Sequence, residues 1–288
     1  MNYSEGGGAP ETKLHGIIFF KFVFSLLISK VCYLVNKIIQ NKTFTLKHRN
    51  KKYAFTMAEV LITIGIIGII AAMTLPGVIK GANKNITANK VKKIYSVLQN
   101  GVNLAISEKG EIKDWYDETA YQEGFSGAYN LYSYYIKPYF NITQECISGT
   151  NNGNGYKKCG YKEHTFYSFD GRAASDISSG KIPVILNDGS ILIFRSNKED
   201  LSADGSGNWG YYWAVYYDVN GGKEPNKYGI DVFVFHLNPY TNKVAPAGLY
   251  RSISNTQFMT KESINQRCLT DGDTCTAKIL LDNWKITY

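Results

Sequence analysis

Acid is nearly missing from the start of this chain. Residues 1–54 hold two of the 24 Asp and Glu but nine of the 32 Lys and Arg. The other 234 residues carry 23 basic and 22 acidic side chains, so the formal charge of +8 belongs mostly to the beginning. Such a distribution argues against a nucleic-acid surface spread over the main body. Histidine is scarce too, with four scattered residues, and His164 and His236 read as surface or strand residues rather than bases. There is no Gly-x-Ser-x-Gly, no His-Glu-x-x-His and no phosphate-binding Gly-x4-Gly-Lys-Ser/Thr. Gly153-Asn154-Gly155 is too short and wrongly placed for a nucleotide fingerprint. Nothing calls for an enzyme, and no repeat or low-complexity tract is present.

What is present begins at Lys51-Lys52-Tyr53-Ala54-Phe55-Thr56-Met57-Ala58-Glu59, followed by an apolar run from Val60 to Ile79. Roughly 20 apolar residues suffice to span a bilayer. Basic residues before the run hold that side in the cytoplasm and send the C-terminal part outward. The acid at the mouth of the run is unusual. A carboxylate there costs a few kcal/mol unless it is paired, which makes Glu59 a functional candidate. Three plainer readings compete. A secretory signal peptide would offer Ala71-Ala72-Met73 for cleavage, but its apolar region rarely contains Glu and is usually shorter. An ordinary single-span anchor needs no acid. A capping box, Thr56-x-x-Glu59, would satisfy backbone N–H groups at a helix start, yet leaves the small-residue-then-Phe junction unexplained.

The segment Ala54 to Pro76 resembles the prepilin N-terminal segment of type IV pilins and type II secretion pseudopilins. In that family a prepilin peptidase cuts after a small residue, usually Gly, and methylates the new N-terminal Phe. With the cut after Ala54, Phe55 becomes the first mature residue, Glu59 the fifth, Gly68 the fourteenth and Pro76 the twenty-second. Ala in place of Gly at 54 is the one departure. Residues 55 and 59 lie about one helical turn apart, so the carboxylate and the freed amine share one end of the helix. The resemblance implies that Glu59 neutralises the terminal amine of a neighbouring subunit. It also implies an α+β, pilin-like fold: a long N-terminal helix, membrane-spanning in its first half, packed on a C-terminal antiparallel sheet. Its partners would be the prepilin peptidase, other pilin or pseudopilin subunits in a homo- or hetero-filament, and the inner membrane. The globular domain would lie in the periplasm or on the cell surface.

The chain then divides into a leader (1–54), an assembly helix (55–80), its amphipathic continuation (81–110) and a globular domain (111–288). Residues 1–45 are long for a leader of this family. Gly16 to Gln40 is nearly a second membrane segment, interrupted by Lys21, Lys30 and Lys37. Either the leader is membrane-associated, or translation begins downstream near Leu46 and the upstream residues are an extension outside the protein, the reading preferred here. Val91, Tyr95, Leu98, Val102 and Ile106 recur at helical steps and define one buried stripe. Pro76 and Gly77 are candidate kink positions, and Lys109-Gly110 reads as the helix end.

From about Asp114 the composition turns Tyr-, Gly- and Asn-rich. Ile182–Leu186 and Ile191–Phe194 flank Asn187-Asp188-Gly189-Ser190, a strong hairpin signal. Tyr211–Val219 and Ile230–Leu237 are strand candidates, and Ala277–Tyr288 is expected to end as a short strand. Trp209, Trp213 and the tyrosines read as core or rim. Cys146 and Cys159 bracket one short turn-rich loop, Cys268 and Cys275 another, and Cys32 lies in the leader. Four cysteines allow three connectivities, of which pairing within each bracket is expected, in keeping with an oxidising compartment. Zinc is a poor rival: the spacing is not CxxC, and His164 is the only nearby histidine.

Asp218-Val-Asn220-Gly-Gly-Lys-Glu224-Pro-Asn226-Lys-Tyr-Gly-Ile-Asp231 resembles late loops of pilin-like proteins, some of which hold calcium. Asp218, Asn220, Glu224 and Asp231 are the oxygen ligands this expectation names; Asp271 and Asp273 are a weaker set. The competing reading is an Asn/Asp/Gly turn that satisfies its own backbone. Three functional classes stand side by side. One is a structural filament subunit. Another is a minor tip pilin binding a secreted substrate, a glycan or, in a competence-type filament, DNA. The last is a surface enzyme merely anchored by the segment.

Overall fold

The computed structural model describes residues 57–115, 125, 129–130, 132–149, 151–178, 180–200, 209–250 and 258–288, with the side chains of 197–200 and 209–212 outside that description. The leader, Cys32, Ala54, Phe55 and Thr56 therefore lie outside the described residues. Two compact units are formed, Met1–Ile66 and Ile67–Tyr288. In the first, residues 57–66 are helical.

Helix α1 (Met57–Lys109) carries Pro76 inside its span. Its later turns bury Ala88, Val91, Ile94, Leu98, Gly101, Val102 and Ala105, steps of mostly three and four residues that place them on one face. Val91, Leu98 and Val102 were legible in the periodicity; Tyr95 and Ile106 sit at the edge of the stripe. Each large apolar side chain buried here contributes about 1.5–3 kcal/mol. The helix stops at Lys109 because Gly110 turns left-handed, at φ +86°. Its N–H reaches the Ile106 carbonyl at 3.0 Å, and the Trp115 indole N–H donates to the Gly110 carbonyl at 2.8 Å.

The sheet that receives this helix has six strands: β1 (Ile142–Glu145), β4 (Lys181–Leu186), β5 (Ile191–Asp200), β6 (Trp209–Asp218), β7 (Val232–Asn238) and β8 (Lys243–Pro246). They run in the order β1-β4-β5-β6-β7-β8, and every neighbouring pair is antiparallel. The β4–β5 hairpin forms at the expected turn, with Gly189 at φ +79° and Ile185 opposite Ile191. A separate two-stranded hairpin joins β2 (Thr165–Tyr167) and β3 (Ala173–Asp176). Helices α2 (Gly155–Lys158), α3 (Lys261–Thr270) and α4 (Cys275–Leu281) complete the fold.

Alternation along the strands sorts the side chains into two cores. Leu192, Phe194, Trp213, Val215, Phe233 and Phe235 cluster with the stripe of α1. Ile191, Ile193, Ala214, Tyr216, Val232 and Val234 cluster instead with Cys146, Cys159, Phe166 and Ile177. Both faces of the sheet are thus covered. Polar ties fasten α1 to the rest: Lys90 Nζ donates to the Val219 carbonyl at 2.8 Å, and the Val244 N–H donates to Gln99 Oε1 at 2.9 Å.

One expected strand is a helix. Residues 277–281, read as the start of a terminal strand, belong to α4. The Cys268–Cys275 bond ties its first residue to α3, and Lys278 pairs one turn on with Asp282 at 2.9 Å. Only Ile279 in this stretch is β-branched, whereas Ala277, Lys278, Leu280 and Leu281 are strong helix formers, so propensity favours the helix, and the disulfide and the i,i+4 ion pair add to it.

Candidate functional site

Of the processing and assembly residues, Glu59 is described and lies half-buried in the first turn of α1. The helix it opens is long and apolar enough to cross a membrane, and none of its most apolar stretch is buried. Leu61, Ile67 and Val78 are 60%, 64% and 66% exposed. A continuous exposed apolar surface of this size marks a membrane or protein contact.

The second candidate lies where β6 ends. Asp218 is fully buried and Asp231 nearly so. The Asp218 carboxylate accepts the Tyr161 hydroxyl at 2.7 Å and the N–H groups of Asn220, Gly221 and Gly222 at 3.0, 3.1 and 3.2 Å. Asp231 accepts Asn220 Nδ2 at 3.1 Å and the N–H groups of Asn226 and Lys227 at 3.0 and 2.7 Å. Such a close wrap needs glycine. Gly221 sits at φ +75°, and a Cβ there would collide with the Gly189 carbonyl oxygen. Burial raises the pKa of Asp218 against those hydrogen bonds. Burial first, and then the neighbouring Asp218 charge, pushes Asp231 up to about 6.

The structure brings together Asp218, Asn220 and Asp231 and leaves Glu224 out, turned outward toward Lys162 at 3.5 Å. Asn226 joins the loop instead through its N–H, which donates to the Asp231 carboxylate. The Asn226 Oδ1 and that of Asn220 are buried without a hydrogen-bond donor. Two orphaned amide oxygens beside two crowded carboxylates are the donor chemistry a hard cation prefers, so the residues fit calcium in kind. Among the described residues, however, no group of three or more His, Cys, Asp or Glu could hold a metal, so any such site leans on amide oxygens. Asn226 follows Pro225 and adopts a left-handed φ of +51°. Asp271 and Asp273 are taken up by arginines, Asp271 by Arg172 at 3.1 Å and Asp273 by Arg267.

Cysteine pairs within each bracket, Cys146 with Cys159 and Cys268 with Cys275. All four are buried, and Cys146 and Cys159 belong to the core on the far side of the sheet.

A long apolar helix opened by an acid and packed by its later turns on an antiparallel sheet defines a prepilin-type chain. Residues 49–75 match the prokaryotic N-terminal methylation motif, which makes this a type IV pilin- or pseudopilin-like prepilin segment. Residues 77–288 match a family of unknown function, DUF6613, and the chain belongs to that family. No curated protein and no solved structure matches the chain.

Proposed function

We propose that this chain is a structural subunit, cut by prepilin peptidase after Ala54. It then polymerises through its N-terminal helix into a type II secretion or type IV pilus-like filament at the inner membrane. The observation that carries the reading is the unburied apolar first half of α1 with Glu59 at its head. Lateral packing against other copies of such a helix takes the apolar surface out of lipid, and opposite charges attract strongly only in contact in that medium. Glu59 therefore acts as a register device against the amine of Phe55 on a neighbour. On this reading residues 1–54 are removed, 55–80 span and assemble, 81–110 continue the helix, and 111–288 form the domain held outside the membrane.

Glu59→Leu tests it. The variant should insert into the membrane at normal levels and be missing from sheared filaments. Filaments that incorporate the variant normally would sink the proposal. In the unaltered chain, mass spectrometry of filament subunits should find an N-methylated Phe55 at the N terminus.

A further inference from the structure

Past Glu59 the chain carries no acid until Glu108, yet Lys80, Lys84, Lys90, Lys92 and Lys93 follow directly on the apolar run that ends at Ile79. All five lie on α1. On the outward side of a span such a cluster runs against the usual bias, which keeps basic residues in the cytoplasm. The leader already carries the basic residues that set orientation, so these five are surplus to it.

Their spread around the helix selects the partner. At about 100° per residue the five point in different directions that together encircle α1. A docking helix meets one stripe of side chains, whereas a planar charged layer crossed by the helix meets every side. Height fits the same layer. Headgroups add about 5–7 Å to each side of the hydrocarbon. Lys80 stands where the run ends, and Lys84 lies about 6 Å beyond it. Lys90, Lys92 and Lys93 follow at about 15–20 Å. A snorkelling side chain brings such a charge within a Debye length of about 8 Å from the layer.

Internal counter-charges are few. Lys84 donates to the backbone oxygen of Tyr288, and Lys90 to that of Val219 at 2.8 Å. Asp188 lies 3.7 Å from Lys93, with both side chains exposed, and is within electrostatic range of Lys90 as well. Lys80 and Lys92 are exposed, and among the described residues neither has an ion-pair partner. The tail beyond α4 adds charge of the same sign. Trp284 packs on Tyr95 at 5.3 Å between ring centroids while Lys84 holds Tyr288, so the tail runs along α1 from the level of Tyr95 to that of Lys84. It carries the exposed Lys285. The acid at its base, Asp282, is taken up by Lys278 at 2.9 Å.

We propose that Lys80, Lys92, Lys93 and Lys285 form a basic collar that rests on anionic phospholipid headgroups and sets how deeply the unassembled subunit sits in the bilayer. The role rests on the reading of residues 60–79 as a membrane span.

The test places the full chain, one copy per nanodisc, in phosphatidylcholine alone or with phosphatidylglycerol mixed in. Pulse acetylation followed by mass spectrometry then gives the reactivity of each lysine. Lys80 should react about fivefold more slowly in the anionic disc, the factor that corresponds to the attraction of one lysine to such a surface. The slowing should fade toward Lys92 and Lys93 and vanish at high salt. Lys113 is the control, 61% exposed in its side chain and beyond the far end of α1, about 40 Å from Lys80; its rate should not change. Equal reactivity of Lys80 in the two discs overturns the proposal, as does equal slowing at Lys113 or slowing that high salt leaves intact. One chain per disc excludes a neighbouring subunit as the cause. Hydrogen exchange on the same discs keeps the two readings apart. Strong protection of residues 60–79 in both lipids, with Lys80 indifferent to lipid, sinks the collar alone; fast exchange there removes span and collar together.

Discussion

At the scale of single residues, Asp231 is the side chain whose surroundings say most. It is 3% exposed and sits beside a second buried acid, so ionising it costs the fold. With its pKa pushed up to about 6 against about 3.9 in an unfolded chain, the native state holds the proton more tightly. Stability therefore falls as pH rises from about 4 to about 6, and the full cost, up to about 3 kcal/mol, is present above that window. His236, lowered to about 4, works in the opposite direction: its contribution is present above about 6.5 and is lost as pH falls toward 4. The two overlap, so the wild-type profile alone does not separate them. Comparing unfolding free energies of wild type and Asp231→Asn, both in chelator, at pH 5 and pH 7 does. The variant should lose the acid-side gain while keeping the His236 slope; identical pH slopes would refute the assignment. The same crowding is what calcium would relieve. Millimolar calcium at pH 7 should raise the melting midpoint by mass action, an effect absent in the variant; no shift in wild type removes Asp218, Asn220, Asn226 and Asp231 as a cation site.

At the scale of elements, much of the fold could be read from period and turn chemistry. The helix end at Lys109-Gly110, the hairpin at Asp188-Gly189 and the buried positions Val91, Leu98 and Val102 follow local rules that the packed chain obeys. Local rules mislead where one is misapplied or where a distant partner decides. The strand expected after Cys275 is instead helix α4, in keeping with the propensity of Ala277, Lys278, Leu280 and Leu281, and a disulfide holds its first residue. Glu224 sits within the acidic loop sequence yet pairs outward with Lys162, while Asn226, in a left-handed backbone, has its side-chain oxygen buried. Gly101 is a third case. By propensity it weakens a helix, but its Cα faces the Phe140 ring so closely that a Cβ would stand 2.5 Å from Cζ. The glycine is there for close approach. Gly81, where an added Cβ would meet nothing within 4 Å, is the matched control. Gly81→Ala should stabilise the helix by up to about 1 kcal/mol. Gly101→Ala should instead destabilise the chain by about 1 kcal/mol or more, because overpacking a core offsets the propensity gain. Denaturant titration of the two variants checks this, and equal effects would show that Phe140 yields freely.

At the scale of the whole molecule, the sheet is a partition between two chemically different halves of the core. One half is α1 on large aliphatic and aromatic side chains, the part a prepilin-like sequence leads one to expect. The other is built from the Cys146–Cys159 loop and the β2–β3 hairpin, while α4 adds Ile279 to the first half, and nothing in the segment 54–76 announces it. Its sequence traces are the Cys146–Cys159 bracket and the fact that Ile191–Phe194 and Val232–Phe235 are continuously apolar rather than alternating, the pattern of strands covered on both faces. The outer half has few long elements, so cross-links carry a large share of its stability. The two bonds close loops of sequence separation 13 and 7, for which the chain-entropy relation gives about 3 and about 2.5 kcal/mol. Replacing Cys146 and Cys159 together by Ala should lower the unfolding free energy by about that larger amount. Because the pair belongs to the outer core, hydrogen exchange should speed up there first, in β2, β3 and the Cys146–Cys159 loop. Amides of α1 between Ala88 and Ala105 should remain protected up to the global transition. Simultaneous loss of protection on both sides of the sheet would show instead that the two cores open as one cooperative unit.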